Sequence, residues 1–128
     1  MKVIFKYDKN NMKPERLEIL QNFVKFLNRE YKLKNDVTVR FTSKSEEGMT
    51  TGSNQEGIIK VLDDGRMFID MLRTLAHEWV HEHQHQFDRK KGNQDIGGPD
   101  EDEANAEAGK LLKQYNKEFP KKQDYLYE

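Results

Sequence analysis

The sequence predicts one α+β domain: a small, mainly antiparallel sheet, a long N-terminal helix, a histidine-rich helix and a glutamate-bearing helix toward the C-terminus. Three observations predict it. Segments 2–7, 36–41 and 57–62 alternate apolar and polar residues or concentrate β-branched ones, as strands do. Segments beginning at 14, 70 and 100 repeat apolar residues every three or four positions, the period of a helix with one buried face. The 128 residues hold neither an internal repeat nor a linker long enough to divide them, so 1–128 is read as a single domain with one modest core.

Residues 2–7 set Val3, Phe5 and Tyr7 against Lys2, Ile4 and Lys6, a strand pattern, and Asp8–Asn11 is a turn. Pro14 suits the first position of a helix, with acidic Glu15 and Glu18 following where the helix dipole favours them. Leu17, Leu20, Val24, Leu27 and Tyr31 then carry that helix over 14–31 as a core-covering stripe. Asp36–Phe41 is a strand. The Ser-, Thr- and Gly-rich stretch 43–57 is a loop or a short edge strand around Met49–Gly52. Gly57–Leu62 has strong β propensity, and Asp63-Asp64-Gly65-Arg66 reads as a hairpin turn that returns through Met67-Phe68-Ile69.

The next helix is predicted to start at Asp70, whose carboxylate can cap free amides, and to end near Lys91 at a basic, glycine-terminated tail. Leu72, Leu75, Ala76, Trp79, Val80 and Phe87 form its apolar stripe, with Trp79 as a core anchor. After a loop over Gly92–Pro99, Asp100-Glu101-Asp102-Glu103 opens a last helix whose small and apolar face is Ala104, Ala108, Leu111, Leu112 and Tyr115. Pro120 ends it, and 118–128 is a polar tail.

Hydrophobic residues are 34% and charged residues 35%, which implies a compact core under a heavily solvated surface. A net charge of −1 supplies no basic field, so a nucleic-acid partner is not expected. The absence of cysteine excludes disulfides and thiolate metal sites, leaving histidine and carboxylates as the strong ligands. The first residues alternate and lack a signal peptide's apolar core, and no apolar run approaches the roughly 20 residues of a membrane span. A cytoplasmic protein of bacterial or phage origin is the default expectation; the sequence does not indicate an oligomeric state.

All four histidines lie in Thr74–His85, which contains His77-Glu78-Trp79-Val80-His81, an HExxH pattern. On a helix of about 3.6 residues per turn the i, i+4 spacing stacks the two imidazoles on one face, close enough to grip one metal ion. Glu78 falls beside them, where a carboxylate can reach a metal-bound water. Catalytic zinc usually takes three protein ligands. Position 87 is Phe and position 84 Gln, which excludes a metzincin-type third histidine, and no histidine follows His85. A distant third ligand is therefore a carboxylate, with Glu101, Glu103 and Glu107 as candidates. Glu103 with Asp100 also fits a capping box, and Glu107 a solvated face. His83 falls on the apolar stripe and reads as a packed histidine. His85 lies on the metal side one turn beyond His81, as a group that supports a ligand or faces the substrate. His85, Tyr115 and the 43–56 stretch are weak candidates for stabilising an oxyanion.

Glu101-Asp102-Glu103-Ala104-Asn105 reads E-x-x-A-N on the helix after HExxH, with Glu101 twenty residues beyond His81. Together with Arg73–Glu78 this resembles the gluzincin metallopeptidases, most closely the small ImmA/IrrE-like and related phage or bacterial types, over roughly residues 57–112. The resemblance implies a zincin-like fold and one Zn2+ per chain held by His77, His81 and Glu101. It implies Glu78 as the general base for attack of zinc-bound water on a peptide carbonyl, and Asn105 as the residue that orients a ligand histidine from behind. A protein or peptide substrate follows, aligned by strand addition to an edge strand within 49–62. The alternatives are a zinc-stabilised binding or regulatory module, an inactive peptidase relative, or a SprT-like DNA-associated peptidase.

Overall fold

The alternation at the start of the chain forms β1 (Val3–Lys6), and Pro14 opens α1 (Pro14–Glu30) at the position where its missing N–H costs nothing. The order continues as β2 (Val37–Thr42), β3 (Gly52–Gln55), β4 (Ile58–Leu62), α2 (Phe68–Gln86) and α3 (Pro99–Glu118). The computed structural model describes residues 1–44, 51–89 and 98–120. The expectations that concern 45–50, the glycine-terminated tail after Arg89 and the segment 121–128 lie outside the described residues. No helix among the described residues is long and apolar enough to cross a membrane.

The architecture is α+β, but the sheet is mixed and not mainly antiparallel. Its order is β1-β2-β4-β3, with β1–β2 and β2–β4 parallel and only β3–β4 antiparallel. The reason is connectivity: α1 carries the chain back to its starting end before β2, which makes β1 and β2 parallel, and β3 returns it before β4, which makes β2 and β4 parallel. Alternation of side chains encodes which face is buried and says nothing of strand direction.

The hairpin also sits elsewhere than expected. It joins β3 to β4 through Glu56-Gly57, where Gly57 takes φ 76°. Asp64-Gly65 does turn with a positive φ of 67° at Gly65, yet it delivers the chain into α2, not into a returning strand. Phe68 is fully buried three and four residues before Met71 and Leu72, so it belongs to the helical stripe that a run of three residues could not reveal. Consequently Met67 and not Asp70 occupies the capping position, without a side-chain cap, and Asp70 lies in the first turn. At its other end α2 stops at Gln86, earlier than expected. The Arg89 N–H donates to Gln84 O (2.7 Å) and the Asp88 N–H to His85 O (3.3 Å), with Asp88 at φ 52°. This is a Schellman closure with aspartate standing where glycine is usual.

The core lies on one face of the sheet. Val37, Val39, Phe41, Ile59 and Val61 point into it and meet the apolar faces of α1 and α2. Trp79 is fully buried and its indole N–H donates to Tyr31 O at 2.9 Å, so the anchor also ties α2 to the end of α1. α3 packs on α2 and α1, where the Tyr115 ring meets Phe23 edge-on at 4.8 Å between centroids. The Ala104 and Ala108 methyls are small enough to let α3 approach α2 closely.

Candidate metal centre

His77 and His81 stand one turn apart on α2, with ring centroids 4.8 Å apart. Glu101, in the first turn of α3, reaches between them: its Oε1 lies 2.9 Å from His77 Nε2 and its Oε2 3.0 Å from His81 Nε2. One nitrogen or oxygen from each of the three residues falls within 4.8 Å of the others. The choice among acidic candidates is made by helix geometry. Glu103 faces away and accepts from Gln84 Nε2 (2.6 Å) and Arg89 Nη1 (3.2 Å), so it serves neither as a ligand nor in a capping box. Glu107 hydrogen-bonds the Tyr31 hydroxyl, whose pKa is pushed up to about 12, first by burial and then by Glu107 and Glu103.

Each imidazole has a further polar partner. Asn105, one turn after Glu101, hydrogen-bonds the His77 ring. Gln84, three residues after His81, places its Oε1 2.8 Å from His81 Nδ1. Burial lowers the His77 pKa from the ordinary imidazole value; Glu101 opposes this and His81 reinforces it, a shift toward the neutral ring, the form that donates a lone pair.

The donor set therefore fits a metal ion. Two imidazole nitrogens face the two oxygens of one carboxylate at hydrogen-bond distance. An unprotonated imidazole nitrogen and a carboxylate oxygen are both ligands for a cation, and three such groups converge here. Two ligand atoms on a tetrahedral zinc lie about 3.3 Å apart, given bond lengths near 2.0–2.1 Å, which the spacing found here approaches.

Glu78 is buried, and its Oε1 lies 3.8 Å from His77 Nε2. The edge strand β3 passes beside it. A Cβ on Gly52 would lie 2.4 Å from Thr74 Cγ2, 3.0 Å from Lys60 O and 3.3 Å from Glu78 Cγ, so glycine is what lets the strand cross α2 this closely. The position of that strand is set by Glu82, a carboxylate 1% exposed. It accepts from Asn54 Nδ2 (2.8 Å), the Gly57 N–H (3.0 Å) and Gln86 Nε2 (2.7 Å). Gln86 in turn accepts the N–H groups of Lys34 and Asn35, both at 2.9 Å.

Of the residues singled out from sequence, His77, His81 and Glu101 converge, Glu78 adjoins them and Asn105 supports His77. His85 is not brought to the cluster. Its ring pairs with Glu56 on the hairpin at 3.7 Å, because each i+4 step along a helix drifts about 40° around the axis. Tyr115 is a core residue bonded to Asn22 at 3.0 Å and has no place near Glu78. His83 packs between Tyr31 and Phe87, as its place in the stripe implied. Gln84, Glu82 and Arg89 were missed. The available signals were the i+3 spacing of Gln84 from His81 and the position of Glu82 three residues after Trp79, a carboxylate in an otherwise apolar register. A cavity of about 420 Å³ lined by Met12, Arg16, Asp63, Arg66, Met67 and Met71 opens near the start of α2 and contains none of the converging residues. No family model matches the chain, and no curated protein or solved structure matches it either.

Proposed function

We propose that the chain is a zinc-dependent metallopeptidase of zincin-like type that hydrolyses peptide bonds in a protein or peptide substrate. The observation that carries the reading is the meeting of His77 Nε2, His81 Nε2 and the Glu101 carboxylate beside the buried carboxylate of Glu78. Two imidazoles and one carboxylate form a donor set suited to zinc, with a fourth position available for the reaction. When bound there, zinc supplies Lewis acidity that polarises a carbonyl and makes water nucleophilic at neutral pH.

The remaining work falls to the chain's own groups. Glu78, carried by α2 and set against β3 at Gly52, is the base that takes the proton of the attacking water and returns it to the departing amine. β3 is the edge of the sheet and antiparallel to β4. An extended substrate segment adding to that edge lies alongside the Glu78 carboxylate, so main-chain pairing aligns the scissile bond while side chains remain free to vary. Asn105 and Gln84 keep the two rings turned inward.

Glu78→Gln tests the reading. The variant keeps the shape of the side chain and removes its basicity. It is expected to retain zinc and fold while cleavage of an unfolded protein such as casein disappears. Cleavage that persists in Glu78→Gln contradicts the mechanism. Zinc bound by wild-type protein that cleaves nothing assigns the centre to a structural or binding role.

A further inference from the structure

A histidine ligand is useful to a metal only when its proton sits on the nitrogen that faces away. For His81 the structure contains a device that decides this. Gln84 is 1% exposed, so its amide has no solvent to bond with and must satisfy itself within the protein. Its Nε2 lies 3.0 Å from Asp100 O and 2.6 Å from Glu103 Oε1. Both are acceptors, so the amide nitrogen faces them and the amide oxygen faces His81 Nδ1 at 2.8 Å. An amide oxygen can only accept. His81 Nδ1 therefore carries a hydrogen, which leaves Nε2, 3.0 Å from Glu101 Oε2, as the ring atom that can give its lone pair to a metal ion.

Glu103 is itself fixed. Arg89 Nη1 donates to both its oxygens at 3.3 and 3.2 Å, while Arg89 Nη2 lies 2.9 Å from His83 Nδ1. The Arg89 backbone closes α2 by donating to Gln84 O. The chain His81–Gln84–Glu103–Arg89 thus begins at one ring of the cluster, crosses to α3 two residues past Glu101 and returns to the end of α2.

We infer that Gln84 is a positioning residue for the metal centre, setting the tautomer of His81 and, through Asp100 and Glu103, the approach of the helix turn that carries Glu101. The inference rests on the metal reading proposed above. Gln84→Glu alone would press a second carboxylate against Glu103 and Asp100 O. Paired with Glu103→Gln it reverses donor and acceptor between residues 84 and 103 and keeps an acceptor against His81, leaving the Asp100 carbonyl as the one unmatched contact.

The first test needs no variant. Long-range ¹H–¹⁵N correlation spectra of zinc-loaded wild-type protein are expected to show His81 protonated at Nδ1 and coordinated through Nε2; the opposite arrangement overturns the inference. The second test is zinc affinity by competition with a chromophoric chelator. Gln84→Leu is expected to weaken binding about 10- to 100-fold, the usual cost of removing a partner that orients a ligand. The double variant Gln84→Glu/Glu103→Gln is expected to recover part of that loss, which a merely structural role for Gln84 does not predict. Undiminished binding by Gln84→Leu, or no recovery in the double variant, overturns the inference while leaving the metal centre intact. Wild-type protein that binds no zinc overturns both. Should Gln84→Leu fail to fold, the tautomer measurement and the double variant decide.

Discussion

α1 and α2 are helices of similar length, 17 and 19 residues, that contribute to one core, yet they bury different chemistry. The buried positions of α1 are Ile19, Leu20, Phe23, Val24, Phe26 and Leu27, all apolar. α2 buries its own apolar stripe and in addition Thr74, Glu78, Glu82, Gln84 and Gln86, which are the buried polar or charged residues among those described. A buried polar group costs stability unless it is bonded, so a helix that gathers five of them is arranged for something other than folding. Each is engaged in a specific way. Thr74 accepts from Arg66 Nη2 at 2.8 Å, Glu82 and Gln86 hold the hairpin and the α1–β2 connection, Gln84 turns His81, and Glu78 adjoins the cluster.

If α1 serves stability alone while α2 carries both stability and the site, variants in α1 should leave the site untouched. The largest effect on folding is expected from Phe23→Ala in α1. The ring is fully buried against Phe26 and Tyr115, and its removal should lower unfolding free energy by about 3–5 kcal/mol in urea titration. Zinc bound per folded molecule should not change. A loss of zinc affinity in that variant would break the division.

Next comes Glu82→Leu, which leaves Asn54, Gly57 and Gln86 donors without their acceptor. At about 1–3 kcal/mol for each buried donor left unmade, a loss of about 3 kcal/mol is expected. Protection from hydrogen exchange should fall first at the Gly57 and Leu62 amides of the hairpin. An unchanged exchange pattern there would show that Glu82 does not hold β3.

The smallest effect concerns pH. Burial, followed by the neighbouring Arg89, lowers the His83 pKa below its ordinary 6.5. Because the folded state binds this proton less well than the unfolded chain, the contribution of His83 is complete above pH 6.5. It is lost as pH falls from there through the lowered folded value. In metal-free protein, wild-type stability should therefore decline relative to His83→Phe as the solution is acidified below that point. Parallel curves would mean that His83 is not desolvated as described.

Much of the site was legible because its parts repeat at helical spacing within single elements. His77 with His81, and Glu101 with Asn105, are each i, i+4 pairs, and such pairs share a face whatever the rest of the fold does. What escaped depends on contacts between elements. Gln84 matters through Asp100 and Glu103 on another helix, and Glu82 through a hairpin that precedes it by about 25 residues. The sheet illustrates the same limit. Residues 2–7, 36–41 and 57–62 were recognisable as strands from alternation and β propensity, but parallel pairing follows from where α1 delivers the chain. Met67–Ile69 was too short to distinguish the close of a hairpin from the first turn of a helix. The polar stretch 43–57 left loop and a short edge strand around Met49–Gly52 both open; the strand is Gly52–Gln55, and its place at the sheet edge comes from pairing with β4 and from the Glu82 carboxylate beneath it.

The central claim is that three side chains from two helices hold one zinc ion. Elemental analysis of purified protein, beside His77→Ala and Glu101→Ala, measures it most directly. One equivalent of zinc per wild-type chain, lost in each variant while circular dichroism still reports the helices, is the predicted result. Wild-type protein without zinc after exposure to it, or Glu101→Ala that retains a full equivalent, would contradict the account.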